Sequence, residues 1–433
     1  MKTALGVLVL VCVATGIPRA GPVGVQGGPG VRSGGQFIGP DGQPLILRGL
    51  NVAQAAKVAP YLPKQGQADF AKMPQWGCNC IRYLILWAGI EPQPGQYDEE
   101  YLAAVRQRLD WAQAAGLYVV LDMHQDVYGE KYSSDGAPAW ACLDGGARFE
   151  TKPGEHWAAS YLQPAVLAAF DSFWRDAPGP EGVGVQTRFI RAWRHVVEKL
   201  GDHPAVIGYD VLNEPFYGNV LQYPETLAAF GKLQALLPKG VNPLSLFAAQ
   251  RSAQMRELVA DPNRLYAAVD CADAAIRRFE QERLMPFYRR IIPALRELTP
   301  DAIFFVEPHI WASGGAHSFL TREEVGGEGA RLAFAPHYYD PGCAPDVPYD
   351  GNPARAKVAF LRMQEVARRL DAPVFLGEWG DAESPPQTAV QYIRDQGKLL
   401  RELGFSHCYW EDSGNVSQKP VFGALCDVWR RAQ

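Results

Sequence analysis

The most constraining feature of this sequence is a regular alternation, from about residue 36 onward, of short β-rich apolar runs with longer helical segments. The helical segments, such as residues 99–115, 187–200 and 355–370, carry apolar residues at spacings of three and four. This order is typical of a parallel sheet with helical crossovers, and eight strands are the number that closes a barrel. We therefore predict an α/β protein with a (β/α)8 (TIM) barrel. The eight predicted strands are residues 45–51, 80–86, 118–123, 205–212, 302–306, 332–335, 374–376 and 405–409.

Two predicted crossovers are longer than a barrel needs. They cover residues 125–203 and 215–300, after the third and fourth strands. Insertions at these places lie on the rim where the active sites of barrels are found. Residues 36–433 are predicted to form a single domain. After the eighth run, residues 411–433 provide a loop and a helix, so no C-terminal β-sandwich is expected in this chain.

The first 20 residues have the order of a secretory signal peptide. Lys2 is followed by an apolar run over residues 4–13, and then by small residues and Pro18 before Ala20. The run is too short for a transmembrane helix, which needs about 20 apolar residues. We predict that residues 1–20 are removed and that the protein is secreted, to the extracellular space or the periplasm. Residues 21–35 are rich in Gly, Val and Pro and are predicted to be a flexible leader.

Charge and cysteine spacing exclude several classes of function. With 42 basic and 47 acidic residues, the net charge of −5 provides no positive surface for binding nucleic acid. Of the 8 cysteines, Cys12 lies in the predicted signal peptide; the odd number that remains leaves at least one unpaired in an oxidising compartment. No paired CxxC or His-bearing spacing predicts a zinc site, and nothing in the sequence indicates a protein partner.

Polar and aromatic residues stand at the C-terminal ends of the predicted strands. In a (β/α)8 barrel these ends face the active site, whereas the strand interiors fill the core. A barrel with only a structural role has no reason to gather carboxylates, histidines and a tryptophan at this rim. These residues are Asn51, Arg82, His124 with Asp126, Asn213 with Glu214, Glu307 with His309, His337 with Tyr339, Glu378 and Trp410.

Glu214 and Glu378 end the fourth and seventh predicted strands, so their carboxylates are expected to face each other across the barrel mouth. Glycoside cleavage with retention of configuration needs two carboxyl groups about 5–5.5 Å apart. One attacks the anomeric carbon and the other protonates the departing oxygen, so the two groups need different pKa values. We predict a retaining β-glycosidase with Glu214 as acid/base and Glu378 as nucleophile. This chemistry requires no metal or organic cofactor, and none is predicted.

Several neighbouring side chains suit this chemistry. Arg82 is a natural partner for the ionised nucleophile, and Tyr339 can donate a hydrogen bond to it. His337 is predicted to orient the nucleophile or to contact substrate. Asn213 is predicted to donate to the sugar hydroxyl beside the anomeric centre, and Trp410 offers a flat face to the sugar ring. Each of these residues alone is often only structural, so the prediction depends on the joint pattern.

These motifs resemble the retaining glycoside hydrolases of family 5, and within that family the endoglycoceramidases and their relatives. The resemblance extends over nearly the whole chain after the predicted signal peptide. Its most specific part is residues 121–128, with the sequence LDMHQDVY, because family 5 glucanases usually share only the histidine. The other matching segments are residues 48–51 with Lys57 and Pro60, 135–141, 169–174, 209–216, 336–339, 376–379 and 409–410.

The resemblance implies a substrate class and further binding residues. It implies hydrolysis of a glycosphingolipid to an oligosaccharide and ceramide, or of another β-glycoside with a hydrophobic aglycone. An enzyme with such a substrate is expected to make transient contact with lipid surfaces. His309 stands where the family pattern has a glutamine, and it is included among the predicted substrate-binding residues. The residues implied to line the glycone site are Lys57, His124, Asp126, Asn213, Glu214, Tyr339, Glu378 and Trp410.

The sequence leaves three alternatives open. A family 5 β-glucanase or mannanase would have an open groove with several exposed tryptophans, whereas an apolar trough beside the carboxylates would favour a lipid aglycone. A catalytically inactive carbohydrate-binding barrel would be excluded by loss of activity in Glu378→Gln without loss of folding. A metallohydrolase is suggested by His124, Asp126 and His337 in one barrel mouth, although these residues lack the convergent spacing of a metal site.

Overall fold

The structure is a computed structural model that describes residues 29–32, 34–151, 157–219, 222–237, 253–343, 348–381 and 385–430. The predicted signal peptide and most of the predicted leader lie outside the described residues. The strands are β1 (Gly30–Arg32), β2 (Gln36–Ile38), β3 (Arg48–Val52), β4 (Cys80–Leu86), β5 (Tyr118–His124), β6 (Val206–Asp210), β7 (Ile303–Val306), β8 (Arg331–Phe334), β9 (His337–Tyr338), β10 (Phe375–Trp379) and β11 (Ser406–Asp412). The helices are α1 (Gln67–Phe70), α2 (Met73–Trp76), α3 (Trp87–Ile90), α4 (Glu99–Ala115), α5 (Pro164–Trp174), α6 (Val185–Leu200), α7 (Pro224–Leu236), α8 (Ala253–Ala260), α9 (Pro262–Val269), α10 (Asp273–Phe279), α11 (Met285–Arg296), α12 (Ala354–Leu370), α13 (Pro386–Leu403) and α14 (Phe422–Arg430).

The strands from β3 to β11 form one parallel sheet that closes on itself. Their order is β8-β7-β6-β5-β4-β3-β11-β10-β9, and a parallel bridge between Phe334 and Val374 joins β8 to the start of β10. β8 and β9 are two parts of one barrel strand, because Pro336 between them has no backbone N–H to donate to the ladder. Eight barrel strands therefore result, and the predicted (β/α)8 fold is confirmed.

The predicted bounds agree with the observed ones for some elements and fall short for others. β4 and α4 cover the predicted residues 80–86 and 99–115. β10 and β11 continue past their predicted ends to Trp379 and Asp412, so Glu378 and Trp410 lie inside strands. The apolar pattern stops earlier because these strand ends carry polar side chains toward the barrel mouth, while backbone pairing continues.

A short antiparallel pair, β1 with β2, covers the N-terminal end of the barrel. Phe37 of β2 is buried and packs on Phe305 of β7, with ring centroids 6.2 Å apart. It belongs to the same apolar cluster as Leu47 and Phe375. Gly30–Arg32 falls within the segment predicted as a flexible leader, but its pairing with β2 makes it part of the folded domain.

Side chains from the strands fill the inside of the barrel. Cys80 of β4 and Cys408 of β11 flank Gly49 of β3, and their Sγ atoms are 3.7 Å apart. A Cβ at residue 49 would lie 1.9 Å from the carbonyl oxygen of Cys80, so the position accepts only glycine. The cysteines of the described residues are all free thiols.

Both long insertions lie on the side of the barrel where the strands end. The first, after β5, contains α5, and the second, after β6, contains α7 to α11 with a π-helical turn at Glu280–Leu284. Within the described ranges, no helix is both long and apolar enough to cross a membrane. The insertions therefore supply the walls around the ends of β5 and β6.

Candidate active site

Glu214 and Glu378 face each other at the C-terminal end of the barrel. Nδ1 of His337 lies between them, 3.0 Å from Glu214 Oε1 and 3.6 Å from Glu378 Oε2. One carboxylate oxygen of each glutamate and one ring nitrogen of His337 lie within 4.8 Å of one another. This separation is typical of a retaining pair, since the carboxyl groups of an inverting pair stand about 6.5–9.5 Å apart to admit water.

Arg82 lies behind the nucleophile and has no exposed surface. Nη1 donates to Glu378 Oε1 at 2.8 Å, Nη2 to Asn213 Oδ1 at 2.8 Å, and Nε to Asp210 Oδ2 at 2.9 Å. Asn51 and Glu307 accept from the two remaining N–H groups of the guanidinium, and Asp122 Oδ1 forms an ion pair with Nη2 at 2.9 Å. Arg82 was predicted both as a substrate-binding residue and as the partner of the ionised Glu378, and it has only the second contact, because its full burial keeps it out of the cleft. It holds the carboxylate of Glu378 in place.

The surroundings of Glu378 favour its ionised form. Tyr339 donates its phenol O–H to Glu378 Oε2 at 2.8 Å, while Arg82 holds Oε1. Burial by itself would raise the pKa of Glu378, but the positive charges of His337 and Arg82 outweigh it and hold the pKa below its ordinary value. The ionised carboxylate is the form that attacks an anomeric carbon.

Glu214 has the opposite electrostatic character. Burial raises its pKa, the hydrogen bond from His337 opposes the shift, and the negative charge of Glu378 adds to it. Ser313 also donates its hydroxyl to Glu214 Oε1, at 3.2 Å. The backbone of Glu214 is left-handed, with φ of 43°, which costs a non-glycine residue about 1–3 kcal/mol. A raised pKa and a strained backbone at one residue are typical of a catalytic acid.

Three buried carboxylates surround Arg82, and the sequence predicted no role for any of them. Asp122, Asp210 and Glu307 each have an oxygen 2.9 Å from the guanidinium. Asp122 and Asp210 stand inside runs that were counted as barrel core, and Glu307 was placed at a strand end without a role. A carboxylate inside an apolar strand is itself a signal, because a buried charge requires a partner of opposite charge.

Lys57, Asp126 and Asp135 form a charged group beside Trp410. Lys57 Nζ bonds to Asp126 and lies 3.9 Å from Asp135 Oδ2. It also lies 4.7 Å from the centre of the Trp410 ring. The same ring is nearly parallel to the imidazole of His124, with centroids 5.5 Å apart and 12° between the planes. The structure thus brings together the residues that the sequence analysis assigned to the glycone site.

The charges in this group set the protonation of its members. Burial and the charge of Lys57 work against the imidazolium of His124, but Asp122 and Asp126 outweigh them and raise its pKa to about 9. Burial raises the pKa of Asp135 to about 6, although Lys57 acts in the opposite direction. Oδ1 of Asp135 is buried without a hydrogen-bond partner in the described part of the chain. Such an acceptor suits a sugar hydroxyl.

Asn213 precedes the acid/base and uses only part of its amide to hold its position. Oδ1 accepts from Arg82, and Nδ2 donates one hydrogen to the carbonyl oxygen of Gln125 at 3.0 Å. The second Nδ2 hydrogen is available to a sugar hydroxyl.

His309 is a predicted substrate-binding residue that lies apart from both the two glutamates and the charged group beside Trp410. Its Nε2 donates to the carbonyl oxygen of His317 at 2.8 Å, so its Nδ1 accepts from the Tyr217 hydroxyl at 2.7 Å. Burial lowers the pKa of His309 to about 4, so the ring is neutral at pH 7. Because both nitrogens are bound within the protein, His309 supports the loop after Glu214.

A layer of aromatic rings flanks the acid/base. Tyr161, from the first insertion, packs on Phe216 in the loop after the acid/base, with ring centroids 4.7 Å apart. The rings of Trp157 and Tyr161 have centroids 6.2 Å apart, and those of Trp311 and Tyr217 have centroids 5.0 Å apart. Trp157 is 53% exposed, and no other tryptophan in the described ranges is exposed to that extent. Tyr161, Phe216 and Tyr217 are buried, so Trp157 is the member of this layer that presents a large apolar surface to solvent.

Groups of carboxylates and histidines close enough to hold a metal ion occur in the described residues, and each lies against a permanent cation. Lys57 contacts the group that contains Asp126, and Arg82 contacts the groups that contain Glu378 and Asp122. Arg362 contacts the fourth group, through a carboxylate of the second insertion. Each of these groups therefore has a cation of the protein beside it, at a place where a divalent ion would be repelled.

Comparison with known families and solved structures agrees with this geometry. Residues 38–415 match the family described as Cellulase (glycosyl hydrolase family 5). The structure of endo-glycoceramidase II from Rhodococcus sp. in complex with a five-membered iminocyclitol is 30% identical, with a TM-score of 0.64, over 86% of this chain and 74% of that chain. The same Rhodococcus protein has been solved as a lactosyl-enzyme intermediate and as a ganglioside GM3 complex.

Curated relatives align over shorter stretches. An endoglycoceramidase of Hydra vulgaris is 28% identical over 37% of this chain and 34% of its own length. A glucosylceramidase of Aspergillus fumigatus is 30% identical over 43% of this chain and 32% of its own length. The alignments therefore span about a third of these two relatives. The family match, in contrast, includes both facing glutamates, and this chain belongs to glycosyl hydrolase family 5.

Proposed function

We propose that this protein is a retaining β-glycosidase that hydrolyses the bond between a glycan and a hydrophobic aglycone, with a glycosphingolipid as substrate and an oligosaccharide and ceramide as products. The observation that carries the proposal is the pair Glu214 and Glu378. Their carboxylates lie at the separation of a retaining pair, and the pKa is raised in one and lowered in the other.

In the first step, the carboxylate of Glu378 attacks the anomeric carbon while Glu214 transfers its proton to the departing oxygen. The bond between the anomeric carbon and that oxygen breaks, and a glycosyl ester of Glu378 forms. The ester carries no negative charge, so one cause of the raised pKa of Glu214 disappears as the aglycone leaves. Glu214 is then ionised when a base is needed.

In the second step, Glu214 accepts a proton from a water molecule as the water oxygen attacks the anomeric carbon. The ester bond breaks, Glu378 regains its charge, and the sugar leaves with net retention. Arg82 and Tyr339 then stabilise the returning carboxylate, since each contacts one of its oxygens. The site is restored without an external reagent.

The glycone is proposed to lie against Trp410, with its hydroxyls bound by the charged group beside that ring. Lys57 is a charged donor, and Asp126 and Asp135 are charged acceptors. Such groups reject an analogue that lacks the matching hydroxyl, because the buried charge is then left unpaired.

Two observations support a lipid aglycone. The half-exposed ring of Trp157 offers an apolar surface on the side of Glu214, which protonates the bond to the aglycone, and it packs on the buried rings of Tyr161 and Phe216. The ganglioside GM3 complex was obtained with a protein 30% identical to this chain. The row of exposed tryptophans expected for a polysaccharide groove does not occur in the described ranges.

A glucosylceramide-cleaving enzyme is the second candidate, because a fungal glucosylceramidase is among the similar proteins. The two candidates differ in whether the enzyme accepts a glycan of several sugars. The signal-like order of Lys2, the apolar residues 4–13 and Ala20 supports a further proposal, that the protein is secreted and meets its substrate at a lipid surface.

The proposal is tested by product analysis of detergent micelles that contain glucosylceramide, lactosylceramide or ganglioside GM3, with soluble β-glucan and mannan in parallel. We expect intact oligosaccharide and ceramide. Lactose from lactosylceramide indicates cleavage next to ceramide, whereas activity on glucosylceramide alone favours the second candidate. Release of sugar only from the polysaccharides would refute the lipid aglycone.

Glu378→Gln is the inactive reference for this assay, since an amide cannot form the glycosyl ester. Glu323→Gln is its matched control, because Glu323 is exposed and the same change there is remote from the mouth. Loss of activity in the first variant alone, with both variants folded, is expected. Equal activity in Glu378→Gln and the wild type would refute the assigned nucleophile.

A further inference from the structure

Glu307 directly follows β7. Its carboxylate contacts the backbone of Glu214 and the Arg82 and His337 side chains beside Glu378. It is 2% exposed. Oε2 accepts the backbone N–H of Glu214 at 2.8 Å. Oε1 lies 2.9 Å from Arg82 Nη2 and 3.2 Å from His337 Nε2. The Tyr288 hydroxyl donates to the backbone carbonyl of Glu307 at 2.7 Å and fixes this residue in turn.

The first contact acts on the backbone of the acid/base. Glu214 has a positive φ, a conformation that persists only where the surrounding structure enforces it. The bond from its N–H to Glu307 is such a constraint, and it lies at the residue whose side chain must reach the departing oxygen. The direction of the Glu214 side chain therefore depends on Glu307.

The second contact acts on the charge of His337. Nδ1 lies 3.0 Å from Glu214 Oε1, and Nε2 lies 3.2 Å from Glu307 Oε1 in an ion-pair contact that is not aligned as a hydrogen bond, so each ring nitrogen has a carboxylate beside it. A neutral imidazole has one N–H and no net charge, whereas the imidazolium has an N–H on each nitrogen and places positive charge beside both carboxylates. The charged ring then also lies 3.6 Å from Glu378 and favours its ionised form. Arg82, Asp122 and Asp210 complete the charged groups around this contact.

We propose that Glu307 is a positioning residue that couples the two catalytic glutamates. Its carboxylate sets the backbone of the acid/base through one oxygen, and through the other it keeps His337 protonated beside the nucleophile. This inference rests on the roles proposed for Glu214 and Glu378.

Glu307→Gln tests the coupling because the amide has the same shape but one acceptor fewer. If its oxygen takes the N–H of Glu214, its NH2 group faces Arg82 and His337, which are both donors. His337 is then expected to lose its Nε2 proton and become neutral. Nitrogen-15 NMR of the histidine ring at pH 7 measures this, with an imidazolium expected in the wild type and in the control Glu323→Gln.

Kinetics provide a second readout that a merely structural role would not change. General acid catalysis is worth about 10²–10⁴ in rate and matters most for a poor leaving group. A displaced Glu214 is expected to lower kcat/KM for a phenyl β-lactoside at least about 10-fold more than for a dinitrophenyl β-lactoside. Glu307→Asp keeps the charge but has a shorter side chain. In this variant we expect His337 to stay protonated and the extra loss of kcat/KM on the phenyl lactoside to be smaller than in Glu307→Gln.

A charged His337 in Glu307→Gln, together with an equal loss on both lactosides, would overturn the proposal. So would a neutral His337 in the wild type. If the wild type hydrolyses neither the glycolipids nor the lactosides, the proposed function fails, and the NMR comparison of wild type, Glu307→Gln and Glu307→Asp still decides the link between Glu307 and His337. If Glu307→Gln does not fold, Glu307→Asp supplies both measurements.

Discussion

Replacing Tyr339 by Phe removes one hydrogen bond from the nucleophile and leaves the ring in place. The lost bond runs from the phenol O–H to Glu378 Oε2 at 2.8 Å. A hydrogen bond to a charged group contributes about 1.5–3 kcal/mol, and one pKa unit corresponds to about 1.4 kcal/mol. The pKa of Glu378 is therefore expected to rise by about 1–2 units. Because Glu378 reacts in its ionised form, the acid limb of kcat/KM is expected to move to higher pH by the same amount.

The assay is the pH dependence of kcat/KM on an aryl β-lactoside, in which the acid limb reports the free enzyme. Tyr349→Phe is the matched control, since the Tyr349 hydroxyl also donates to a carboxylate, Asp395 Oδ2 at 3.0 Å, outside the active site. The control is expected to keep the wild-type limb. An unmoved or lowered acid limb in Tyr339→Phe, or an equal shift in the control, would refute the reasoning.

Three further predictions address other parts of the molecule. Glu214→Ala is expected to lower kcat/KM for poor leaving groups by about 10²–10⁴, and azide is expected to restore turnover with a β-glycosyl azide as product; an α-azide would contradict retention. His309 has a folded pKa lowered to about 4 by burial, so its stabilising effect is complete above the ordinary value of 6.5 and is lost as pH falls. The Tm measured by calorimetry is therefore expected to fall between pH 6.5 and 4, less steeply in His309→Gln, and identical slopes would argue against a buried neutral ring. Because Lys57 and Arg82 supply the positive charge, activity is expected to survive EDTA, and a loss that added metal restores would contradict this.

The barrel and its two glutamates could be predicted from local patterns. The strand Cys80–Leu86 and the helix Glu99–Ala115 agree with their predicted bounds because apolar spacing and flanking glycines determine such elements locally. Glu214 and Glu378 could be placed opposite each other because a parallel barrel brings the C-terminal ends of all its strands to one rim. That inference holds whatever the exact strand bounds are.

The shape of the N-terminal cap and the buried charges could not be predicted in this way. The pairing of β1 with β2 depends on Phe37 meeting Phe305 inside the closed barrel, a contact that no local pattern contains. Asp122 and Asp210 looked like core positions because a strand pattern records which residues are apolar. Such a pattern cannot show that the positive charge of Arg82, on another strand, lies beside Asp122 and Asp210.

The sequence by itself determined the fold class and predicted the catalytic pair and the group of residues around the glycone. The tertiary structure decided which of those residues reach the cleft: it buried Arg82 behind Glu378 and bound both nitrogens of His309 within the protein. It also supplied the physical cause of the opposite roles of the two glutamates, because the pKa of Glu214 is raised and that of Glu378 is lowered by their surroundings. Arg82 and Glu378 are 296 residues apart in the chain, and their contact at 2.8 Å exists only after the barrel has closed. A pKa follows from burial and from neighbouring charges, and both are properties of the packed molecule.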